Sequence, residues 1–145
     1  MAQSYRIAFS NDHGGIDLKK HLIEHAMAMG HEVLNLGPDE TIPIDYPDVV
    51  QPVSEALYKS RADYGVLICG SGIGISIAAN RRSGIRAALC NHHLMAKLAR
   101  QHNDANILVL GQRLTTFDVA QDCLEVFLTT DFEGGRHLRR VEKLK

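Results

Sequence analysis

The stretch VLICGSGIGISIAANR, Val66 to Arg81, decides the fold. Val66, Leu67, Ile68 and Cys69 read as a strand buried on both faces. Gly70-Ser71-Gly72-Ile73-Gly74 breaks it, and IGISIAANRR resumes as an apolar helix. A strand that opens into glycines and continues as a helix is the first half of a βα unit.

The same alternation extends in both directions. YRIAF (5–9) reads as a first strand. Leu18, Leu22, Ala26 and Met29 then mark one face of a helix that Gly30 stops. HEVLNLG (31–37) is a second strand. The turn-rich TIPIDYPDVVQPV follows, with Pro47 suited to the first turn of a helix running to about Lys59, and with Pro52 expected to kink that helix or delay its start. After the glycine loop, IRAALC is a fourth strand, HHLMAKLARQH a helix and NILVLG a fifth strand. TTFDVAQDCLEVFLTT is a threonine-capped helix. The strands at 66–69, 85–89 and 107–110 are almost wholly apolar. The alternation therefore predicts a three-layer αβα, Rossmann-like α/β fold, with a five-stranded parallel sheet covered on both faces. The expected strand order is the commonest one, 2-1-3-4-5. The tail FEGGRHLRRVEKLK (132–145) reads as a Gly-Gly hinge and a short basic helix, an arm rather than part of the sheet. Residues 1–145 are read as one domain.

Composition excludes several classes. Seventeen acidic and 16 basic residues nearly cancel, so no field favours nucleic acid or an anionic membrane surface. No apolar run is long enough to span a bilayer. The start MAQSYRIAFSNDH lacks the pattern of a secretory signal. Three cysteines, Cys69, Cys90 and Cys123, have no paired spacing, which points to a reducing, cytoplasmic setting. Of the eight histidines, His21, His25, His31, His92 and His93 show no zinc-ligand spacing. They read as surface or helix-start residues, and no metal or cofactor is expected.

In a doubly wound sheet, ligands bind outside the carboxyl ends of the strands, where the winding reverses. Between strands 1 and 3 that crevice receives Ser10-Asn11-Asp12-His13-Gly14-Gly15 from one side and Cys69 to Gly74 from the other. The glycine loop is neither a Walker loop, since Gly74 is followed by Ile75-Ser76, nor a dinucleotide fingerprint, which would follow the first strand. Backbone N–H groups from Gly70 to Gly74 ending at a helix N-terminus make an anion pocket. The anion is either a bound phosphate or charge that develops on an oxygen during reaction. An arbitrary strand-end cysteine is a buried apolar residue. Cys69 differs because it opens onto those dipoles, where a thiolate can serve as nucleophile or base. Cys90 and Cys123 keep the structural reading.

NDHGG (11–15), DYPD (45–48), ICGSGIGISIAANR (68–81), GIRAALC (84–90), RQHNDANILVLGQR (100–113) and EGGRHLRRVEK (133–143) together resemble the type B ribose-5-phosphate isomerase family, which includes galactose-6-phosphate and allose-6-phosphate isomerases. The resemblance runs along essentially the whole chain. It implies an aldose–ketose isomerase of the pentose phosphate pathway, metal-independent, in which Cys69 is the base that moves a proton between C1 and C2. Gly70, Ser71, Gly72, Ile73 and Gly74 are implied to hold the enediolate, with Ser71 where a threonine is more usual. His102 is implied to help open the sugar ring. Asp12, His13, Tyr46 and Asn103 match sugar-contacting positions, and Arg113, Arg136 and Arg140 match phosphate ligands, with His137 nearby. Arg136 and Arg140, at i and i+4, would share a helix face. His102, at the end of the helix returning from strand 4, belongs at the amino edge of the sheet, away from the crevice. If it serves the same sugar as Cys69, two copies must share each site, in a homodimer or a dimer of dimers. The alternatives carried forward are a hexose 6-phosphate isomerase and, from another class, a non-catalytic phosphosugar-binding module.

Overall fold

A computed structural model describes residues 3–145. The elements are β1 (Arg6–Asn11), α1 (Ile16–Ala28), β2 (Glu32–Asn35), a 3-10 turn (Tyr46–Val49), α2 (Val50–Tyr58), β3 (Tyr64–Cys69), α3 (Ile73–Asn80), β4 (Ala87–Leu89), α4 (His93–Asn103), β5 (Ile107–Gly111), α5 (Phe117–Thr129) and α6 (Arg136–Glu142). All strand pairs are parallel. The three-layer α/β architecture expected from the alternation is present. No helix among the described residues is long and apolar enough to cross a membrane.

The strand order is β2-β1-β3-β5-β4, which corrects the expected 2-1-3-4-5. β5 lies between β3 and β4, and burial explains the exchange. All five residues of β5 are buried, whereas β4 is three half-buried residues and sits at the sheet edge. The expectation that 85–89 is buried on both faces fails for the same reason. A chain that passes from β3 to the edge and then steps back must reverse its winding. With right-handed crossovers, that step carries α4 to the opposite face from α3. The packing agrees. α4 lies against α5, and Leu18, Leu22, Ala96, Ala99, Leu124 and Phe127 form one core with α1 on that face. Val50, Val53, Ile75 and Ala79 form the other core beneath α2 and α3.

Local signals explain the element ends. Thr116 caps α5, its hydroxyl accepting from the Val119 N–H at 3.1 Å. His92 caps α4 through Nδ1, which accepts from the Leu94 N–H. Of the two outcomes expected for Pro52 the delayed start holds, since the α-helix begins only at Val50, and there is no kink. Pro52 occupies the third position of α2, where its missing N–H has no intrahelical acceptor to lose, and a 3-10 turn precedes the helix. The surface reading is corrected for His31, while His21 and His25 stay half-exposed and make cross-helix contacts. His21 Nε2 meets Gln121 Oε1 at 2.9 Å and His25 Nε2 meets Glu125 Oε1 at 2.7 Å, tying α1 to α5. His31 is buried, and its Nδ1 accepts from the Tyr5 N–H. Burial lowers its affinity for a proton.

Candidate active site

Two loops converge at the carboxyl ends of β1 and β3. Asp12 follows β1, and its carboxylate turns back to accept from the Gly14 N–H at 2.8 Å. Asn11, buried, donates to the carbonyls of Asp12 and Pro38, and buried Lys19 donates to the Gly37 and Pro38 carbonyls. Asn11 and Lys19 thus fasten the floor under Asp12. Asn11 stood in the loop expected at the crevice, but Lys19 was not singled out, because a lysine at a helical core position gives no pattern signal.

Cys69 ends β3 and is 5% exposed. Its Sγ accepts from the Gly72 N–H at 3.1 Å. Gly72 adopts φ +78°, the left-handed region, and this reverses the chain so that its N–H points back at the sulfur before α3 begins. A side chain at Gly74 would come within 2.7 Å of the Tyr46 ring, so the absence of a Cβ lets that ring lie over the loop.

Placing β5 beside β3 has a direct consequence for the site. Cys69 pairs with Gly111, and the chain beyond β5 is then bonded to the glycine loop. Gln112 N–H donates to the Cys69 carbonyl and Arg113 N–H to the Gly70 carbonyl, both at 2.9 Å. The strand exchange therefore delivers Arg113 to the crevice.

A cleft of about 340 Å³ results, lined by Asp12, His13, Gly14, Tyr46, Cys69, Gly70, Ser71, Gly74, Arg113 and Leu114. Eight of these are expected from sequence to contact substrate, Gly14 lies in the loop expected at the crevice, and Leu114 carried no sequence signal. Gly72 and Ile73 do not line it. Gly72 spends its N–H on the thiol, and the Ile73 N–H donates to Ser71 Oγ at 3.1 Å while its side chain points to solvent. Of the five loop residues expected at the site, Gly70, Ser71 and Gly74 line the cleft. The other two cysteines lie in the core, and burial pushes the Cys90 thiol up to about 12 and the Cys123 thiol up to about 11.

The remaining predicted residues gather elsewhere. His102 and Asn103 end α4, just before the chain enters the amino end of β5. α6 folds back on α4 and brings Arg136, His137 and Arg140 with it. The His102 and His137 rings stack with centroids 4.2 Å apart at 13°. Burial, then neighbouring His102 and the Arg136 guanidinium, lower the proton affinity of His137, and Glu133 opposes them. None of these residues lines the cleft around Cys69. Arg136 and Arg140 are exposed. Chemically, one region offers a thiol beside amide donors and a guanidinium. The other offers an imidazole pair beside two more guanidiniums.

The sequence model of the Ribose/Galactose Isomerase family matches residues 7–144. Ribose-5-phosphate isomerase B of Escherichia coli (strain K12) is 42% identical over 139 residues, 96% of this chain and 93% of the relative. The solved structure of ribose-5-phosphate isomerase B from Clostridium thermocellum superposes with a TM-score of 0.94 at 45% identity, covering 96% of this chain and 94% of that one. That of a ribose 5-phosphate isomerase from Thermotoga maritima gives 0.94 at 45% identity, covering 97% of each chain. The likeness covers nearly the whole chain, from β1 through α6. The chain belongs to the ribose/galactose isomerase family and is an enzyme.

Proposed function

We propose that the protein interconverts D-ribose 5-phosphate and D-ribulose 5-phosphate, the aldose–ketose step of the pentose phosphate pathway, through an enediolate. The observation that carries this reading is the Cys69 thiol at the head of an amide-lined cleft, 3.1 Å from the Gly72 N–H. Isomerisation needs a base over carbon and donors for the oxygen charge that forms. Cys69 as thiolate takes the proton from C2 of the open-chain aldose, and the electron pair moves through the C1–C2 bond onto O1. The amides of Gly70, Ser71 and Gly74 stabilise the resulting enediolate. The thiol then returns the proton to C1 as the O2–H bond gives up its electrons to form the ketone, and O1 gains a proton. No oxidant or reductant is required.

His102 serves as the acid for ring opening, Asp12, His13, Tyr46 and Asn103 contact the sugar hydroxyls, and Arg113, Arg136 and Arg140 hold the phosphate with His137. Because His102 and Cys69 lie in separate regions of one copy, each site is completed by a second copy across a two-fold axis. Exposed Ile73 and Ile77 on α3 and Leu94, Met95 and Leu98 on α4 supply apolar surface suited to such an interface. Relatives bearing the name ribose-5-phosphate isomerase B support the five-carbon substrate, and the family's galactose members keep a hexose 6-phosphate as the second reading.

Turnover of ribose 5-phosphate, allose 6-phosphate and galactose 6-phosphate by the wild type and by Cys69→Ala tests both points. The expected result is highest kcat/KM on ribose 5-phosphate. Cys69→Ala should cut turnover by about 100-fold or more, the scale of a lost general base, while substrate still binds. A variant that keeps wild-type kcat would remove Cys69 from the chemistry.

A further inference from the structure

We propose that His102, Glu133 and His137 form a binding site for a divalent ion of the Zn2+ class, and that occupancy of this site inhibits the enzyme. The inhibitory half rests on the role proposed above for His102; the binding half does not.

The donor atoms are already grouped. His102 Nε2 lies 3.6 Å from Glu133 Oε1 and His137 Nε2 lies 3.5 Å from the same oxygen. One ligand atom from each of the three residues falls within 4.8 Å of the other two. Zinc bonds of about 2.0–2.2 Å at tetrahedral angles separate neighbouring ligand atoms by about 3.3 Å, so the two edges that meet at Glu133 Oε1 are close to size. The two imidazoles must turn out of their 13° stack for both lone pairs to converge on one ion. The separations are too long for ordinary hydrogen bonds, so the present geometry is not a fully formed pair that a metal would have to break.

The backbone holds the three donors in place. Glu133 N–H donates to the Gln101 carbonyl at 3.0 Å, which fixes it beside the last turn of α4. His137 is buried in the first turn of α6, and its ring stacks on that of His102. Two imidazoles and one carboxylate are the donor set of many three-ligand zinc sites, with the fourth position open to water. Imidazole donors favour Zn2+, Cu2+ or Ni2+ over Mg2+ and Ca2+, which prefer all-oxygen sets. The nearby guanidiniums of Arg136 and Arg140 oppose a cation, so the Glu133 charge is essential to the site.

Other groups compete poorly. Cys90 and Cys123 are buried in the core. The His92–His93 pair is exposed, and His92 Nδ1 already accepts from a backbone N–H. Metal on His102 would take the nitrogen position that must carry the proton delivered to the sugar ring, and loss of that proton site links binding to inhibition.

The test uses the full chain, washed free of metal with chelator, and Co2+ as a spectroscopic stand-in for Zn2+. One equivalent of Co2+ should bind per chain with visible bands of nitrogen and oxygen ligation, and Zn2+ should displace it while Mg2+ does not. Glu133→Gln and His137→Gln should each weaken binding by more than about tenfold, since even groups that only support a ligand are worth about 10–100-fold. Cys69→Ser should leave the bands unchanged. Isomerisation should fall as Zn2+ is added and recover with EDTA. Absence of binding, or binding that Cys69→Ser abolishes and Glu133→Gln does not, would overturn the site. Metal bound on these residues with turnover unaffected would overturn the inhibitory role. If the metal-free enzyme isomerises no sugar phosphate at all, the Co2+ titration still reads the site on its own.

Discussion

At the scale of single residues, three thiols in one chain are sorted by position alone. Cys69 meets the amide of Gly72 at the end of a strand and opens to a cleft. Cys90 and Cys123 are sealed among apolar side chains, where burial opposes the thiolate. Brief treatment with iodoacetamide at pH 7.5 is therefore expected to label Cys69 and spare the other two, with sugar phosphate slowing the reaction; peptide mass spectrometry reads the sites. Equal labelling of all three would contradict this assignment. The distinction was legible in the sequence because only Cys69 sits where an apolar run meets glycines. Glu133 was not legible as a metal donor. It gains its meaning from His102, 31 positions earlier, and nothing in the spacing shows that α6 will fold back onto α4.

At the scale of elements, the junction of β3 and α3 depends on Gly72. A Cβ there would meet Leu89 Cδ1 at 2.5 Å and would sit on a residue held at φ +78°. Gly72→Ala should destabilise the fold by more than about 1 kcal/mol and lower kcat as the N–H turns away from the thiol. Denaturant melts and kinetics on the same sample would check both effects, and a fully active, equally stable variant would refute the role given to the turn. The β1–β2 layer carries a different dependence, on pH. Burial lowers the proton affinity of His31, so the unfolded chain binds the proton more readily than the folded one. Its contribution to stability is complete above the ordinary value of 6.5 and is lost as the pH falls through the lower folded value. His137 adds in the same direction. His31→Asn, which offers a side-chain acceptor for the Tyr5 N–H but does not titrate, should show a shallower loss of stability between pH 7 and pH 5 than the wild type. A slope unchanged by the substitution would move the effect elsewhere. The helices and strands themselves followed from periodicity and caps, but the order of the last two strands did not. IRAALC and NILVLG are both apolar runs, and apolar character alone cannot show that one yields a three-residue edge strand while the other fills the centre.

At the scale of the molecule, the exchange of β4 and β5 sets the geometry of the site. It places β5 against β3, so that Arg113 reaches the cleft beside Cys69. It also sends α4 to the face of α1 and α5, with His102 at the far end from that cleft. The separation of His102 from Cys69 could be anticipated from sequence, because a helix following a parallel strand always returns toward the amino edge. Only the structure shows the cluster that α6 builds around His102. The proposed chemistry needs two incomplete halves to join across copies, and subunit mixing tests that most directly. Cys69→Ala and His102→Asn enzymes, each nearly inactive alone, are to be unfolded together in equal amounts, refolded, and assayed on ribose 5-phosphate. Half of the resulting dimers are hybrids with one intact site out of two, so recovery of about a quarter of wild-type activity is predicted. Hybrids confirmed by native mass spectrometry that stay as inactive as their parents would contradict the shared site.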